Sequence, residues 1–186
     1  VEPAKVEEVT EAAVAPGSVD GAAETLAITP KNSKIGFIGA KLTQKHKGGF
    51  GDFEGKVVLA EPFSESRVEV TIQTASLFAD EEKLTKHLKS PDFFDVAQFP
   101  TASFKSTQLK ATPLGYAITG DLTLHGQTKR LTFPASLTVE DEALVARAGF
   151  LINRQDFGIS YPGMPDDLIR DNVRIELDLN LPRKGS

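Results

Sequence analysis

Alternation with a period of two runs through most of this 186-residue chain and decides what it can fold into. Val173, Ile175, Leu177 and Leu179 alternate with Arg174, Glu176, Asp178 and Asn180, the pattern of a strand with one buried face and one wet face. The same reading holds around Ile35 and Phe37, over 56–60, 67–73, 101–107, 116–124 and 131–137, and at Leu144, Ala146, Ala148, Phe150 and Ile152, which makes eight strands. Glu61-Pro62, Pro113-Leu-Gly115, His125-Gly126 and Glu140-Asp-Glu142 punctuate them. Connectors this short predict antiparallel neighbours, because parallel pairing needs a long crossover. Eight such strands close into a barrel or stack as a sandwich. Closure removes the exposed edges and leaves room for packed side chains or one small ligand.

Two connections are longer. Asp80–Pro100 predicts a short helix near residues 81–89, with Asp80 as N-cap, Glu81 and Glu82 in the first turn and Pro91 as the stop. Residues 156–171 carry two Pro and two Gly and predict an ordered loop. Residues 1–26 are read as a flexible acidic linker, since they hold no aromatic residue and cannot bury enough apolar surface to offset their ordering entropy, the alternative being a short extra helix over Glu7–Ala15. The folded domain is then 27–182. The chain opens on Val1, which reads as a processed or truncated start.

Charge sharpens this division. Residues 1–28 carry six acids against one base, so the remainder holds 20 acids and 20 bases, from totals of 26 and 21. A neutral body with no basic block argues against nucleic acid as a partner. No cysteine is present, which excludes disulfides, thiolate metal sites and Cys nucleophiles.

Catalytic signatures fail on inspection. Gly49-Phe-Gly51-Asp-Phe-Glu54 has Glu where a dinucleotide loop needs its third Gly, and Gly158-Ile-Ser160-Tyr-Pro162 lacks the second Gly of a nucleophile elbow. His46, His87 and His125 are too far apart in sequence for a helical metal pair, and Asp166-Asp167 and Glu140-Asp-Glu142 read as solvated loops. No catalytic residue, metal site or cofactor is assigned.

The apolar residues say more. Phe93, Phe94, Phe99 and Phe104 cluster around the helix exit, either plugging one end of the barrel or lining a pocket beneath it. Small residues punctuate the inward stripes at Gly39, Gly55, Ala102, Gly120, Ala135, Ala146 and Ala148, which suggests unfilled space. The candidate lining is Ile35, Phe37, Val57, Val70, Ile72, Phe104, Ile118, Leu122, Phe133, Phe150, Ile152, Ile175 and Leu177. Plain barrel core is the competing role for each, and at least half are expected to be only that.

Four groups of motifs stand out: Gly48-Gly-Phe-Gly-Asp-Phe-Glu-Gly55, Lys86-His-Leu-Lys-Ser-Pro-Asp-Phe-Phe-Asp95 with Phe99-Pro100 and Phe104-Lys-Ser106, Gly120-Asp-Leu-Thr-Leu-His-Gly-Gln-Thr-Lys129, and Asn153-Arg-Gln-Asp-Phe-Gly158. Together they resemble the YceI-like family of bacterial lipocalin-like proteins associated with polyisoprenoid binding. The chain departs from many members in having Lys41 after the first strand where they have His. The resemblance implies an extended eight-stranded antiparallel barrel and export to the periplasm, with or without a tether through the N-terminal segment. It also implies a long-chain isoprenoid lipid or isoprenoid quinone as ligand, with a homodimer as one assembly open to the chain. Arg154, Lys86 and Lys89 are the candidates for meeting a head group. The functional expectation is a non-enzymatic carrier or sequestering protein. Its competitor is a structural module of the cell envelope whose barrel is filled.

Overall fold

The computed structural model describes residues 1–8 and 24–184. Its strands are β1 (Lys5–Glu8), β2 (Glu24–Ile28), β3 (Ser33–Ala40), β4 (Lys45–Phe50), β5 (Phe53–Leu59), β6 (Arg67–Gln73) and β7 (Leu77–Ala79). After helix α1 (Glu82–Lys89) follow β8 (Thr101–Thr112), β9 (Gly115–Leu124), β10 (Gln127–Val139) and β11 (Ala143–Asn153). A two-stranded hairpin, β12 (Gly163–Met164) and β13 (Asp167–Leu168), precedes β14 (Asn172–Pro182). The all-β class with one short helix is as expected.

The eight-strand reading survives in a specific sense, because three strands bend rather than end. β2 pairs with β5 while β3 pairs with β4, and β5 pairs with β6 while β4 pairs with β7. Thus β2–β3, β4–β5 and β6–β7 each run as one bent strand, with corners at 29–32, Gly51-Asp52 and the 3₁₀ turn Thr74–Ser76. The ladder continues from β6 through β8, β9, β10, β11 and β14 back to β3, so it closes on itself. The first corner is held by Asn32, whose side chain accepts from Thr29 N and donates to Ala27 O, while its carbonyl accepts from Asn180 N in β14.

β4 and β7 escape the period-two reading. The stretch Lys-His-Lys-Gly-Gly-Phe of β4 has no apolar stripe, and it is a strand because β3 and β7 both offer it backbone partners. A second irregularity lies in β8, where the register shifts between Ser106 and Gln108. Phe104 and Leu109 therefore both point inward although their parities differ. Asp80 does not cap α1; Glu81 occupies that position. The Asp80 carboxylate is taken instead by His46 Nδ1 at 3.0 Å and by the backbone N–H of Lys47 at 3.2 Å. The hydrogen bond with His46 is the main reason this carboxyl titrates below its ordinary value.

The linker expectation for residues 1–26 is corrected at both ends, and residues 9–23 lie outside the described residues. Glu24–Ile28 is strand β2, with Leu26 and Ile28 buried. Lys5–Glu8 is strand β1, and its reason lies in the barrel wall. β10 and β11 pair from Ala135↔Ala148 to Val139↔Leu144 and then diverge. β1 enters this split, antiparallel to β10 from Lys5↔Thr132 to Glu8↔Lys129, and bonds β11 through Ala4 N→Leu151 O at 2.8 Å and Leu151 N→Glu2 O at 3.3 Å. Ala4 and Val6 face the core from this seam. Backbone groups that would otherwise be orphaned are thereby satisfied.

Replacing Ala4 with Asp puts a charge into that seam. The expected result is a loss of about 1–3 kcal/mol in urea unfolding, together with lost hydrogen-exchange protection at 129–132. Unchanged stability would show that β1 does not belong to the wall.

Candidate functional site

The inward faces of the ring enclose a cavity of about 250 Å³. All thirteen residues of the expected lining border it: Ile35, Phe37, Val57, Val70, Ile72, Phe104, Ile118, Leu122, Phe133, Phe150, Ile152, Ile175 and Leu177. Arg147 and Arg154 are the only charged or hydrogen-bonding side chains on the wall among the described residues, and the rest are apolar or glycine. Phe104, Phe133 and Phe150 form a run of rings across β8, β10 and β11, with centroids 5.7 and 4.2 Å apart and the second pair stacked. Phe37, Phe50 and Phe94 make a second cluster. These rings fix the shape of the bore, because a packed aromatic has few rotamers to choose from.

The small residues explain why space remains. Gly39, Ala102, Ala135, Ala146 and Ala148 border the cavity, as unfilled volume requires. Gly120 and Gly55 act differently. A Cβ at Gly120 would collide with the ring of Phe104, so this glycine lets the ring lie against the wall instead of projecting across the bore. A Cβ at Gly55 would strike the backbone carbonyl of Glu69, so there it permits close approach of β5 and β6.

One end of the barrel is covered by two segments: α1 with the residues up to Pro100, and the connection 154–171. Leu88, Phe93 and Phe94 from the first border the cavity, as do Ile159 and Ile169 from the second. His87, Phe93 and Tyr161 join the segments, three rings in mutual edge-to-face contact with centroids 4.9–5.3 Å apart. His87 Nε2 also lies 2.9 Å from Asp92 Oδ2. The phenylalanine cluster therefore both covers the barrel and lines it. Phe99 is the exception, resting on His125 with centroids 4.6 Å apart and standing off this cavity. The ring of His125 is held by Phe157 O at 3.1 Å.

The head-group candidates fare differently. Lys86 pairs with Glu82 at 3.2 Å on the exposed face of α1, and neither Lys86 nor Lys89 borders the cavity. Arg154 does border it, but its guanidinium is committed elsewhere. Nη1 donates to Ile159 O at 2.8 Å, Nε to Arg170 O at 3.3 Å, and Nη2 to Ile169 O and Asp171 Oδ1 at 3.4 and 3.3 Å. Only 5% of the residue is exposed. Burial pushes this guanidinium below its ordinary value, and the Asp171 carboxylate opposes that shift. Arg154 is the clamp of the 154–171 connection. Its place in the Asn153–Gly158 stretch singles it out in the sequence, whereas its acceptors are brought to it by the fold.

Replacing Arg154 with Met removes the clamp while keeping the apolar stem. Three carbonyls lose their partner, so stability is expected to fall by about 1–3 kcal/mol. Hydrogen exchange should accelerate over 159–171 before it does in β9 or β10. Protection unchanged in that connection would contradict the assignment.

A model of the YceI-like domain family matches residues 26–181. A UPF0312 protein of Pseudomonas putida (strain W619) is 40% identical over 138 residues, covering 69% of this chain and 71% of that protein. A UPF0312 protein of Pseudomonas syringae pv. tomato is 42% identical over the same shares. Among solved structures, Burkholderia cenocepacia BcnA is similar with a TM-score of 0.72 at 21% identity, over 80% of this chain and 95% of that one. A polyisoprenoid binding domain from Saccharophagus degradans has a TM-score of 0.69 at 13% identity, over 87% and 99%. At those identities the likeness is one of fold. The Campylobacter jejuni YceI protein has a TM-score of 0.58 at 26% identity, over 72% of this chain and 83% of that one.

Proposed function

The chain belongs to the YceI-like domain family, and on that premise we propose that it binds a long apolar lipid of the polyisoprenoid or isoprenoid-quinone class inside its barrel, as a carrier or sequestering protein. The observation that carries the reading is the wall of the cavity. Among the described residues it is hydrocarbon almost throughout, with neither an acid nor a nucleophile on it. That chemistry suits binding. Each methylene moved from water into it contributes roughly 0.8 kcal/mol. A chain of a few isoprene units therefore needs no polar anchor, which agrees with the commitment of Arg154 to its own loop.

The volume refines the proposal. About 250 Å³ lies just under the ~300–1,000 Å³ usual for ligand pockets. The bore as it stands takes the leading units of a chain. That a polyisoprenoid-binding domain has the same fold supports the ligand class. A filled structural barrel is the weaker reading, because a core packed to ordinary density leaves no cavity of this size. The reading extends to location: an envelope protein, periplasmic or exported, held there or free.

The test is equilibrium binding of geranylgeraniol, followed by displacement of an apolar fluorophore. Ala135 and Ala148 face each other across β10 and β11 and border the cavity. The double variant Ala135→Leu/Ala148→Leu fills the bore with hydrocarbon, and affinity is expected to fall at least tenfold with the barrel still folded. Binding unaffected by the filling would mean that the ligand sits elsewhere.

A further inference from the structure

Resting on the reading just given, we propose that the turn 41–44 and the hairpin 163–168 form an apolar tip that inserts into the acyl region of a lipid bilayer, docking the covered end of the barrel on a membrane. The described residues expose few large hydrophobic side chains, and three of them fall on these two adjacent turns. Leu42 is 56% exposed, Met164 59% and Leu168 44%. Scattered singly they would need no explanation; gathered at one place they do.

The backbone builds the tip as a unit. Leu42 N donates to Leu168 O at 3.1 Å and Arg170 N to Ala40 O at 2.8 Å, while Lys41 bridges to Ile169. Thr43 N donates to Asp167 Oδ1 at 3.3 Å, and Lys41 Nζ lies 3.8 Å from Asp167 Oδ2. Gly163 pairs with Leu168, with φ at +87° and no space for a Cβ, so the hairpin closes as tightly as it does only with glycine there. Pro162 and Pro165 stiffen the same stretch. A rigid, pre-formed tip loses little entropy on insertion.

Position gives the tip its purpose. Leu168 faces solvent while its neighbour Ile169 borders the cavity, and Gly39, on the strand leading to Leu42, borders it too. The apolar outside of the tip is thus one residue away from the apolar inside of the barrel. A lipid leaving a bilayer at this point would pass from one hydrocarbon environment to another.

Area and charge select a bilayer over a protein partner. Three side chains on convex turns supply a small part of the ~1,200 Å² that a stable protein interface buries, whereas interfacial insertion needs only apolar groups at shallow depth. The Lys41–Asp167 pair is internally neutral, and Asp166 offsets one of the two remaining bases, Lys45 and Arg170, so the two turns and their flanks carry a single net positive charge and no basic stripe draws the protein to anionic lipid. Docking should therefore be nearly insensitive to salt.

The experiment is flotation with phosphatidylcholine vesicles, comparing the wild-type chain with Leu42→Ser/Met164→Ser/Leu168→Ser. Binding by the wild type and a loss of about tenfold per residue removed is the expected result. Leu114→Ser, altering a leucine 98% exposed at the opposite end, should leave binding unchanged. The chain has no tryptophan, so Leu168→Trp supplies a single indole whose emission should shift to the blue on adding vesicles. Failure to bind pure lipid, binding only to vesicles containing phosphatidylglycerol with release by salt, or equal binding by the triple variant would each overturn the proposal. Soluble geranylgeraniol separates the two readings. If the tip alone is at fault, the triple variant still binds it; if the cavity reading is wrong, the wild type does not bind it either.

Discussion

The closed ladder of backbone hydrogen bonds is the constraint on which everything else depends. Once the strands pair in a ring, their number fixes the width of the bore, and side chains must fill whatever space the backbone leaves. Here they do not quite fill it. Alanines and glycines stand at inward positions of β3, β8, β10 and β11, and a cavity of about 250 Å³ results. The cavity is a consequence of residue size inside a fixed frame, and its apolar wall follows from the same stripes that make the strands fold.

Closing the ring has costs that the sequence meets locally. Three strands turn corners, one of them secured by the side chain of Asn32. β10 and β11 separate toward the covered end, and β1 repairs the split with its own backbone. Glycines appear where rings or carbonyls of neighbouring strands come too close for a Cβ, as at Gly120 and Gly55. The covered end is held by two devices of different chemistry. Arg154 ties one connection to itself through carbonyls, and the His87–Phe93–Tyr161 rings tie that connection to the helix.

Where period-two alternation is strong, the sequence was enough to read both strand and lining, and β14 is the clearest case. All thirteen residues expected on the wall border the cavity because parity and burial are the same fact in a strand with one wet face. The reading stopped where that equivalence fails. Leu109 borders the cavity from the other parity because of the irregularity in β8. β4 has no stripe to detect, and β1 depends on a split in a wall that no local pattern announces. Arg154 shows a different limit. A basic residue in a motif suggests a ligand contact, yet its partners are carbonyls far along the chain or on neighbouring turns, which no spacing rule identifies. Ile169 has no sequence signal at all.

The central claim is that the barrel holds a long apolar lipid. Native mass spectrometry of the full chain exposed to a bacterial envelope lipid extract, followed by organic extraction of the bound fraction, tests it most directly. The account predicts an added mass of one lipid per barrel that yields isoprenoid fragments. A protein that emerges at its apo mass from the same extract would contradict it.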